Sequence, residues 1–208
     1  SGQKHSKTIV DATLTVDRKN GEISYPEAQG LKIHLRTTCN LAADENFVVL
    51  ECVNRLLEKG YKPENITLEK VWRTGHGTSG RLDILVTQDD GSAFMMIECK
   101  NWGAEFNKEF KNIEKNGGQL FTYFQQDRSA EVLMLYTSGL DAKGKLQFEN
   151  QIIKIEDDYR LTTNVKDFYE RWNKIPKNNG VFEDWVNPYH FESKALTINQ
   201  LSAIKQED

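Results

Sequence analysis

The stretch from Arg81 to Lys100 constrains the fold of this chain more than any other part of the sequence. Two apolar runs, residues 84–86 and 94–97, flank the turn-forming sequence Asp89-Asp90-Gly91. Short apolar runs on either side of an Asp-Gly turn are typical of a β-hairpin. We therefore expect two neighbouring antiparallel strands in the middle of the chain.

Charged residues stand at the ends of these strands, where a buried sheet would normally carry apolar ones. Asp83 belongs to the first strand, and Glu98 and Lys100 close the second. Because side chains alternate along a strand, Glu98 and Lys100 share one face and Cys99 takes the other. A hairpin can bring Asp83 onto that same face beside Glu98. Two carboxylates and a lysine at a strand edge predict a divalent-metal site with an activated water.

The donor set at this edge suits magnesium. Mg²⁺ prefers oxygen ligands and usually takes one or two carboxylates plus waters and a substrate phosphate. Asp83 and Glu98 meet that need, and the backbone carbonyl of Cys99 would add a third oxygen. Such an ion polarises a phosphate and lowers the pKa of a bound water, while Lys100 would stabilise the charge that develops. The alternative, a simple surface salt bridge between Lys100 and Glu98, is disfavoured because both strands are strongly apolar.

The surrounding periodicities predict helices and strands in alternation. The elements expected are a helix from Ala42 to Lys59, a strand from Ile66 to Trp72, a helical segment from Glu105 to Gln126 that breaks at Gly117-Gly118, a strand from Glu131 to Thr137 and one or two strands from Leu146 to Ile155. A strand, a helical crossover and a second apolar strand form a βαβ unit, whose strands are parallel. This pattern predicts the α/β class, with a central mixed β-sheet flanked by helices.

The two ends of the chain differ from this core. Residues 1–40 alternate weakly around an Asn20-Gly21 hairpin signal and predict a β-rich N-terminal arm. We expect a core at 41–160 and a helical or irregular C-terminal extension at 161–208, which leads to a further domain. That extension contains an amphipathic segment at 165–174. Four aromatic residues that follow this segment either pack on the domain or form a docking surface: Phe182, Trp185, Tyr189 and Phe191.

Bulk composition narrows the class of protein. A chain of 208 residues suits one substantial domain, and its formal charge of −4 argues against a strongly basic nucleic-acid coat. No apolar run approaches the ~20 residues that a membrane-spanning helix needs. Cys39, Cys52 and Cys99 form an odd, unpaired set, which is typical of a reducing compartment. We expect a cytoplasmic protein without membrane contact.

Asp83, followed after a hydrophobic strand by Glu98-Cys99-Lys100, resembles the PD-(D/E)XK nuclease motif. The fuller pattern is similar to the nuclease domain at the N-terminus of type I restriction enzyme R subunits and related restriction-modification proteins, over roughly residues 42–137. The residues that carry this resemblance are Asp44 and Glu45 in a helix, Glu69 in a strand, Gly80-Arg81-Leu82-Asp83, and Gln119-Leu-Phe-Thr-Tyr123.

The resemblance implies a restriction-endonuclease-like core and assigns roles within it. Asp83 and Glu98 would bind Mg²⁺, with Mn²⁺ as a substitute, and Lys100 would be catalytic. The helix of Gln119 and Tyr123 would assist DNA contact or cleavage. The auxiliary or DNA-contacting set then also includes Glu45, Glu69 and Arg81.

The resulting hypothesis is a Mg²⁺-dependent DNA endonuclease domain of a restriction-modification protein. It would act on double-stranded DNA together with further domains or subunits. Two alternatives stay open: a repair or structure-specific nuclease on the same fold, and a catalytically silent nuclease fold that binds DNA or protein. The presence of Asp83, Glu98 and Lys100 together favours activity, since a silent copy would not need all three.

Overall fold

A computed structural model describes residues 3–74, 77–156, 159 and 170–185, with backbone alone at 73–74 and 77–79. Within these residues the chain forms two β-sheets. The smaller sheet is antiparallel, and its strands are β1 (Lys4–Ile9), β2 (Ala12–Asp17) and β3 (Glu22–Ser24). The turn at Asn20-Gly21 joins β2 to β3 as predicted, with Gly21 at a φ of +69°. The tighter turn at Val10, which joins β1 to β2, was not predicted.

The larger sheet contains six strands in the order β4-β5-β6-β7-β8-β9. β4 pairs with β5 and β7 with β8 in parallel, whereas the other neighbours are antiparallel. This arrangement confirms the predicted central mixed sheet, including the parallel pair of the βαβ unit. The strand bounds are β4 (Lys32–Ile33), β5 (Ile66–Thr74), β6 (Gly77–Thr87), β7 (Ala93–Cys99), β8 (Val132–Leu140) and β9 (Leu146–Lys154).

Three α-helices among the described residues cover the two faces of this sheet: α1 (Glu45–Glu58), α2 (Ala104–Asn116) and α3 (Gly118–Gln126). One apolar core lies between the sheet, α1 and the small N-terminal sheet. The other lies between the sheet, α2 and α3. Along β7, Ile97 and Cys99 face the first core and Met96 faces the second, so the strand is buried on both sides.

The helix predicted from Ala42 begins later, at Glu45. The buried residues recur at steps of three and four and are Val48, Val49, Cys52, Val53, Leu56 and Leu57. The apolar pattern expected for this helix was Phe47, Leu50, Val53 or Asn54, and Leu57. Val53 and Leu57 are buried, whereas Phe47 is 44% exposed. The chain before the helix is held by the Asn46 side-chain amide, which donates to the carbonyls of Thr37 at 3.0 Å and Asn40 at 2.9 Å. These bonds fix where the helix begins, which propensity alone does not encode.

The predicted break at Gly117-Gly118 is confirmed, since α2 ends at Asn116 and α3 begins at Gly118. Gly117 has a φ of +90°, and a Cβ there would lie 2.3 Å from Phe121 Cβ. Only glycine fits this junction, because both the left-handed backbone and the lack of space exclude a side chain.

The C-terminal part is described only in pieces, so the predicted division at residues 40 and 160 stays a prediction. Half of the segment at 165–174, residues 165–169, lies outside the described residues, as do Tyr189 and Phe191. Phe182 is fully buried in the first core, and Trp185 packs against that core. For these two aromatic residues the structure favours packing on the domain over an exposed docking surface. No helix within the described part of the chain is long and apolar enough to cross a bilayer.

Candidate active site

Three neighbouring strands of the large sheet each place one acidic residue at the same level. In the β5/β6 ladder Leu68 pairs with Ile84 and Lys70 pairs with Leu82. Glu69 and Asp83 lie opposite each other between these two pairs. In the β6/β7 ladder Ile84 also pairs with Ile97, so the following residue, Glu98, comes level with Asp83. Directly opposite residues on adjacent strands are close neighbours. The strand register therefore brings Glu69, Asp83 and Glu98 into one transverse row.

All three acids of this row are buried. Glu69 is 0% exposed, Asp83 4% and Glu98 1%. The Asp83 Oδ2 atom accepts a hydrogen bond from the Cys99 backbone N–H at 2.7 Å. Because the amide and the carbonyl of an extended residue point to the same side of its strand, the Cys99 carbonyl also faces β6. The predicted oxygen donors thus lie at the same end of the hairpin.

Lys100 lies next to Glu98, as the alternation along the strand predicts. Its Nζ is 2.5 Å from Glu98 Oε1 and 4.0 Å from Oε2 of Glu45, the first residue of α1. The other carboxylate oxygen of the pair, Glu98 Oε2, is buried and has no hydrogen-bond partner in the part of the chain that the structure describes. The cluster therefore contains an acceptor that is still available for a ligand.

Burial and mutual repulsion raise the pKa values of the acids in the cluster. Burial raises the pKa of Asp83 to about 7. The hydrogen bond from the Cys99 N–H and the charge of Lys100 act in the opposite direction and lower this pKa. Burial and the charge of Asp83 raise the pKa of Glu98 well above its ordinary value. For Lys100, burial disfavours the ammonium, but the carboxylates of Glu98, Asp83 and Glu45 outweigh it and raise its pKa. Lys100 is therefore charged at neutral pH, while the two acids compete for protons.

Glu69 and Arg81 form an ion pair beside this cluster, with Arg81 Nε 2.5 Å from Glu69 Oε2. Burial raises the pKa of Glu69, an effect that Thr37 and Arg81 oppose. Glu69 has a φ of +55°, a left-handed backbone that residues other than glycine seldom adopt. The sequence named both residues as auxiliary members of the site but predicted neither their pairing nor this conformation.

Gln119 and Tyr123 lie one helical turn apart on α3 and are hydrogen-bonded to each other, with Gln119 Nε2 donating to Tyr123 Oη at 3.2 Å. The Tyr123 hydroxyl in turn donates to the Arg81 carbonyl at 2.7 Å. Tyr123 is only 3% exposed, and a Cβ at Gly80 would come within 2.9 Å of its ring. The pair thus supports the strand that carries Asp83, from the inside of the fold.

Sequence reasoning missed Glu109, which stabilises the start of α3. Glu109 is 7% exposed, and its Oε1 accepts the Gln119 backbone N–H at 2.9 Å. An acid at the N-terminus of a helix satisfies an unpaired amide and complements the helix dipole. The signal was present, since Phe106, Glu109 and Ile113 recur at steps of three and four and form the buried face of α2.

The acids of the cluster are compared with the ligands that a divalent cation needs. Across the described residues, no three His, Cys, Asp or Glu side chains are grouped as a ready-made metal site. Mg²⁺ does not require such a group, because it commonly binds through one or two carboxylates and completes its shell with water and phosphate. Asp83 and Glu98 supply two carboxylates, and Glu98 Oε2 is unpartnered. The residues present fit Mg²⁺, although water and phosphate would have to supply the other ligands.

A comparison with known protein families covers the residues of this candidate site. A family model for the type I restriction enzyme R protein N terminus matches residues 45–156, which is more than half of the chain. The chain belongs to this family. No curated protein matches it.

The R protein N terminus match runs from the first residue of α1 to just beyond β9. It therefore contains the whole described cluster together with its supporting helix α3. The small N-terminal sheet precedes it. All eight candidate side chains lie within the match: Glu45, Glu69, Arg81, Asp83, Glu98, Lys100, Gln119 and Tyr123.

Proposed function

We propose that this R protein N terminus is a Mg²⁺-dependent DNA endonuclease domain of a restriction-modification protein, with a PD-(D/E)XK core. One observation carries the proposal. Asp83 and Glu98 are buried side by side at the end of the β6–β7 hairpin, with Lys100 Nζ 2.5 Å from Glu98. Burying such a cluster is unfavourable for folding, so its presence at a strand end points to function.

Asp83, Glu98 and the Cys99 carbonyl would hold the ion. When bound, Mg²⁺ would polarise a phosphodiester and lower the pKa of a coordinated water, which is the chemistry that hydrolysis requires. A bound cation would favour the ionised forms of Asp83 and Glu98, whose pKa values burial raises. Mn²⁺, which takes similar oxygen ligands, would substitute.

Lys100 would act on the phosphate and on the attacking water. It is charged at neutral pH, and its ammonium lies against Glu98 with Glu45 4.0 Å away. From this position it would orient the water and offset the negative charge that develops as the phosphodiester breaks. Glu45 would limit the directions that the Lys100 side chain can take, which is a positioning role.

The remaining residues would support the site or contact DNA. Tyr123, hydrogen-bonded to Gln119, holds the Arg81 carbonyl and thereby the part of β6 next to Asp83. We assign this pair a positioning role, because Tyr123 is buried. The Arg81 side chain is 43% exposed and is the group that would contact a DNA phosphate.

Double-stranded DNA is the proposed substrate, and other domains or subunits of a restriction complex are the proposed partners. The formal charge of −4 is unfavourable for tight binding to phosphates. Most of the DNA affinity would then come from those partners. The three free cysteines agree with the reducing cytoplasm that we infer as the setting.

The test is cleavage of supercoiled plasmid DNA by the complete restriction protein in the presence of Mg²⁺ or Mn²⁺. We expect Asp83→Asn and Lys100→Met each to reduce the cleavage rate by at least ~100-fold. Lys111→Met, which removes an exposed lysine of α2, is the matched control and should cleave normally. Undiminished cleavage by both site variants would overturn the assignment. DNA binding without cleavage by the unmodified protein would indicate the silent nuclease fold instead.

A further inference from the structure

Glu69 is an unusual residue to find in the middle of a strand. It is 0% exposed, and its backbone is left-handed, with a φ of +55°. Such conformations in residues other than glycine persist only where the surrounding structure imposes them, and they concentrate at functional sites. No step of the proposed hydrolysis uses Glu69.

Its partner Arg81 connects the buried cluster to solvent. Arg81 Nε binds Glu69 Oε2 at 2.5 Å, while the Arg81 side chain as a whole is 43% exposed. A guanidinium presents its nitrogens as a planar fork that matches a phosphate in a bidentate manner. Arg81 can therefore bind a phosphate, but its charge is now directed to Glu69.

The acidic row contains a buried oxygen without a partner, which is independent evidence that the row is built for a ligand. Glu98 Oε2 makes no hydrogen bond in the part of the chain described, although Glu98 is 1% exposed, and the Glu69 carboxylate, which is 0% exposed, lies beside Arg81 and Thr37. Leaving buried acceptors unsatisfied is unfavourable unless a ligand or an ion completes them. Asp83 lies between the two in the strand register.

We propose that Glu69 is a further ligand for the divalent cation, and that the ion pair with Arg81 keeps Glu69 from binding the cation until DNA binds. This inference rests on the proposed function. In the free protein Arg81 neutralises Glu69 and repels a cation. A DNA phosphate takes over the Arg81 guanidinium, which releases the Glu69 carboxylate to the ion bound by Asp83 and Glu98. The site thus gains a carboxylate and loses a competing positive charge when substrate arrives, and the metal and the DNA strengthen each other's binding.

The decisive experiment removes Arg81 without adding DNA. Ca²⁺ is the probe, because it takes oxygen ligands and its binding can be followed by isothermal titration calorimetry on the chain itself. We expect Arg81→Gln to bind Ca²⁺ at least ~10-fold more tightly than the unmodified chain, since Glu69 is then free. The double variant Glu69→Gln/Arg81→Gln should lose that gain, which is the interaction a double-mutant cycle measures.

A matched control separates ligation from a general effect of charge. Lys70→Gln removes one positive charge from the residue next to Glu69 on β5 and should change the Ca²⁺ affinity by less than ~2-fold. Equal affinities for Arg81→Gln and the unmodified chain would overturn the inference. So would a gain that persists in the double variant.

Arg81→Gln leaves a buried carboxylate unpaired, so its fold must be checked by circular dichroism. If it does not fold, Glu69→Gln decides the question. A 20-base-pair duplex, at a concentration that saturates the chain, should raise the Ca²⁺ affinity of the unmodified chain, and Glu69→Gln should retain less than about a third of that increase. No increase in the unmodified chain would also overturn the inference. An undiminished increase in Glu69→Gln would overturn the inference, and gel electrophoresis after each titration shows that the duplex is intact.

Asp83→Asn distinguishes this inference from the function on which it rests. Ca²⁺ binding that is unchanged in Asp83→Asn means that the proposed metal site itself is wrong. Loss of binding in Asp83→Asn, together with no gain in Arg81→Gln, leaves the metal site in place and removes only the role of Glu69.

Discussion

The carboxylate of Asp83 accepts the backbone N–H of Cys99 at 2.7 Å. This bond lies just beyond Ile84 and Ile97, the outermost pair of the β6/β7 ladder at this end. A side chain thus continues the pairing where the backbone ladder stops, and it fixes Asp83 against the segment that carries Glu98 and Lys100. The distance between the two halves of the candidate site is consequently set by the hairpin itself.

Asp83→Asn should stabilise the domain in a pH-dependent manner. Burial raises the pKa of Asp83 from 3.8 to about 7, so between these values only the unfolded state loses the proton. The aspartate therefore destabilises the fold increasingly as the pH rises from about 4 to about 7. Asparagine keeps the hydrogen-bond acceptor without the charge. Urea unfolding should show a gain of roughly 2–4 kcal/mol at pH 8, shrinking towards pH 4.

Asp90→Asn provides the opposite case. Hydrogen bonds from Ser92 lower the pKa of Asp90, so its carboxylate stabilises the fold above pH 4 and this contribution is lost as the pH falls. The variant should therefore show no gain at pH 8. A flat pH response for Asp83→Asn would contradict the raised pKa.

Gly80→Ala should destabilise the fold more than Gly91→Ala. Both glycines have positive φ, +73° and +86°, so alanine strains the backbone at each. A Cβ at Gly80 would also meet Tyr123 Cε1 at 2.9 Å, whereas nothing lies within 4 Å at Gly91. Chemical denaturation should show a loss of about 1 kcal/mol for Gly91→Ala and about 1–3 kcal/mol more for Gly80→Ala. Equal losses would mean that Tyr123 does not pack against the strand.

Tyr123→Phe should cost about 1–2 kcal/mol of stability, because it leaves the Arg81 carbonyl without its hydroxyl donor. The ring itself remains stacked on Trp72, with centroids 6.0 Å apart. Tyr61→Phe is the control, since the buried Tyr61 hydroxyl has no hydrogen-bond partner among the described residues and its removal should be neutral or stabilising. Thermal unfolding followed by circular dichroism measures both, and equal melting temperatures for the two variants would refute the role of the Tyr123 hydroxyl.

Glu109→Ala should destabilise the α2–α3 junction by about 1–2 kcal/mol, because Glu109 accepts the Gln119 N–H and complements the α3 N-terminus. Glu114→Ala removes an exposed acid from the same helix and should change stability by less than about 0.5 kcal/mol. Hydrogen exchange should also show faster exchange of the Gln119 amide in Glu109→Ala alone. Similar protection in both variants would show that another group holds the start of α3.

Much of the fold was predictable because its signals are local. The Asp-Gly turn and its flanking apolar runs predicted the hairpin, and Gly117-Gly118 predicted the helix break. The four-residue spacing of Gln119 and Tyr123 placed them together, and they are hydrogen-bonded at 3.2 Å. Such features depend on residues a few positions apart, for which backbone geometry leaves few alternatives.

The start of α1 and the burial of Glu109 were not predictable in the same way. Helix α1 begins where Asn46 bonds to the preceding loop, and Glu109 is buried only because α3 folds back against α2. A charged residue in a helix is ordinarily placed on the exposed face. Its burial becomes favourable only when a distant backbone amide is presented to it.

The sequence by itself determined that Asp83, Glu98 and Lys100 share one end of a hairpin, because strand alternation and a short turn leave little choice. Tertiary structure decided which acids join them. Glu69 comes level with Asp83 through the register of β5 and β6, a ladder whose register shifts between Val71 and Arg73, and its left-handed backbone has no signature in the sequence. Arg81 then pairs with Glu69 at 2.5 Å because burial of an acid demands a counter-charge within reach. Regular strand alternation therefore specified the candidate site, and the irregular pairing of β5 with β6 specified the charges beside it.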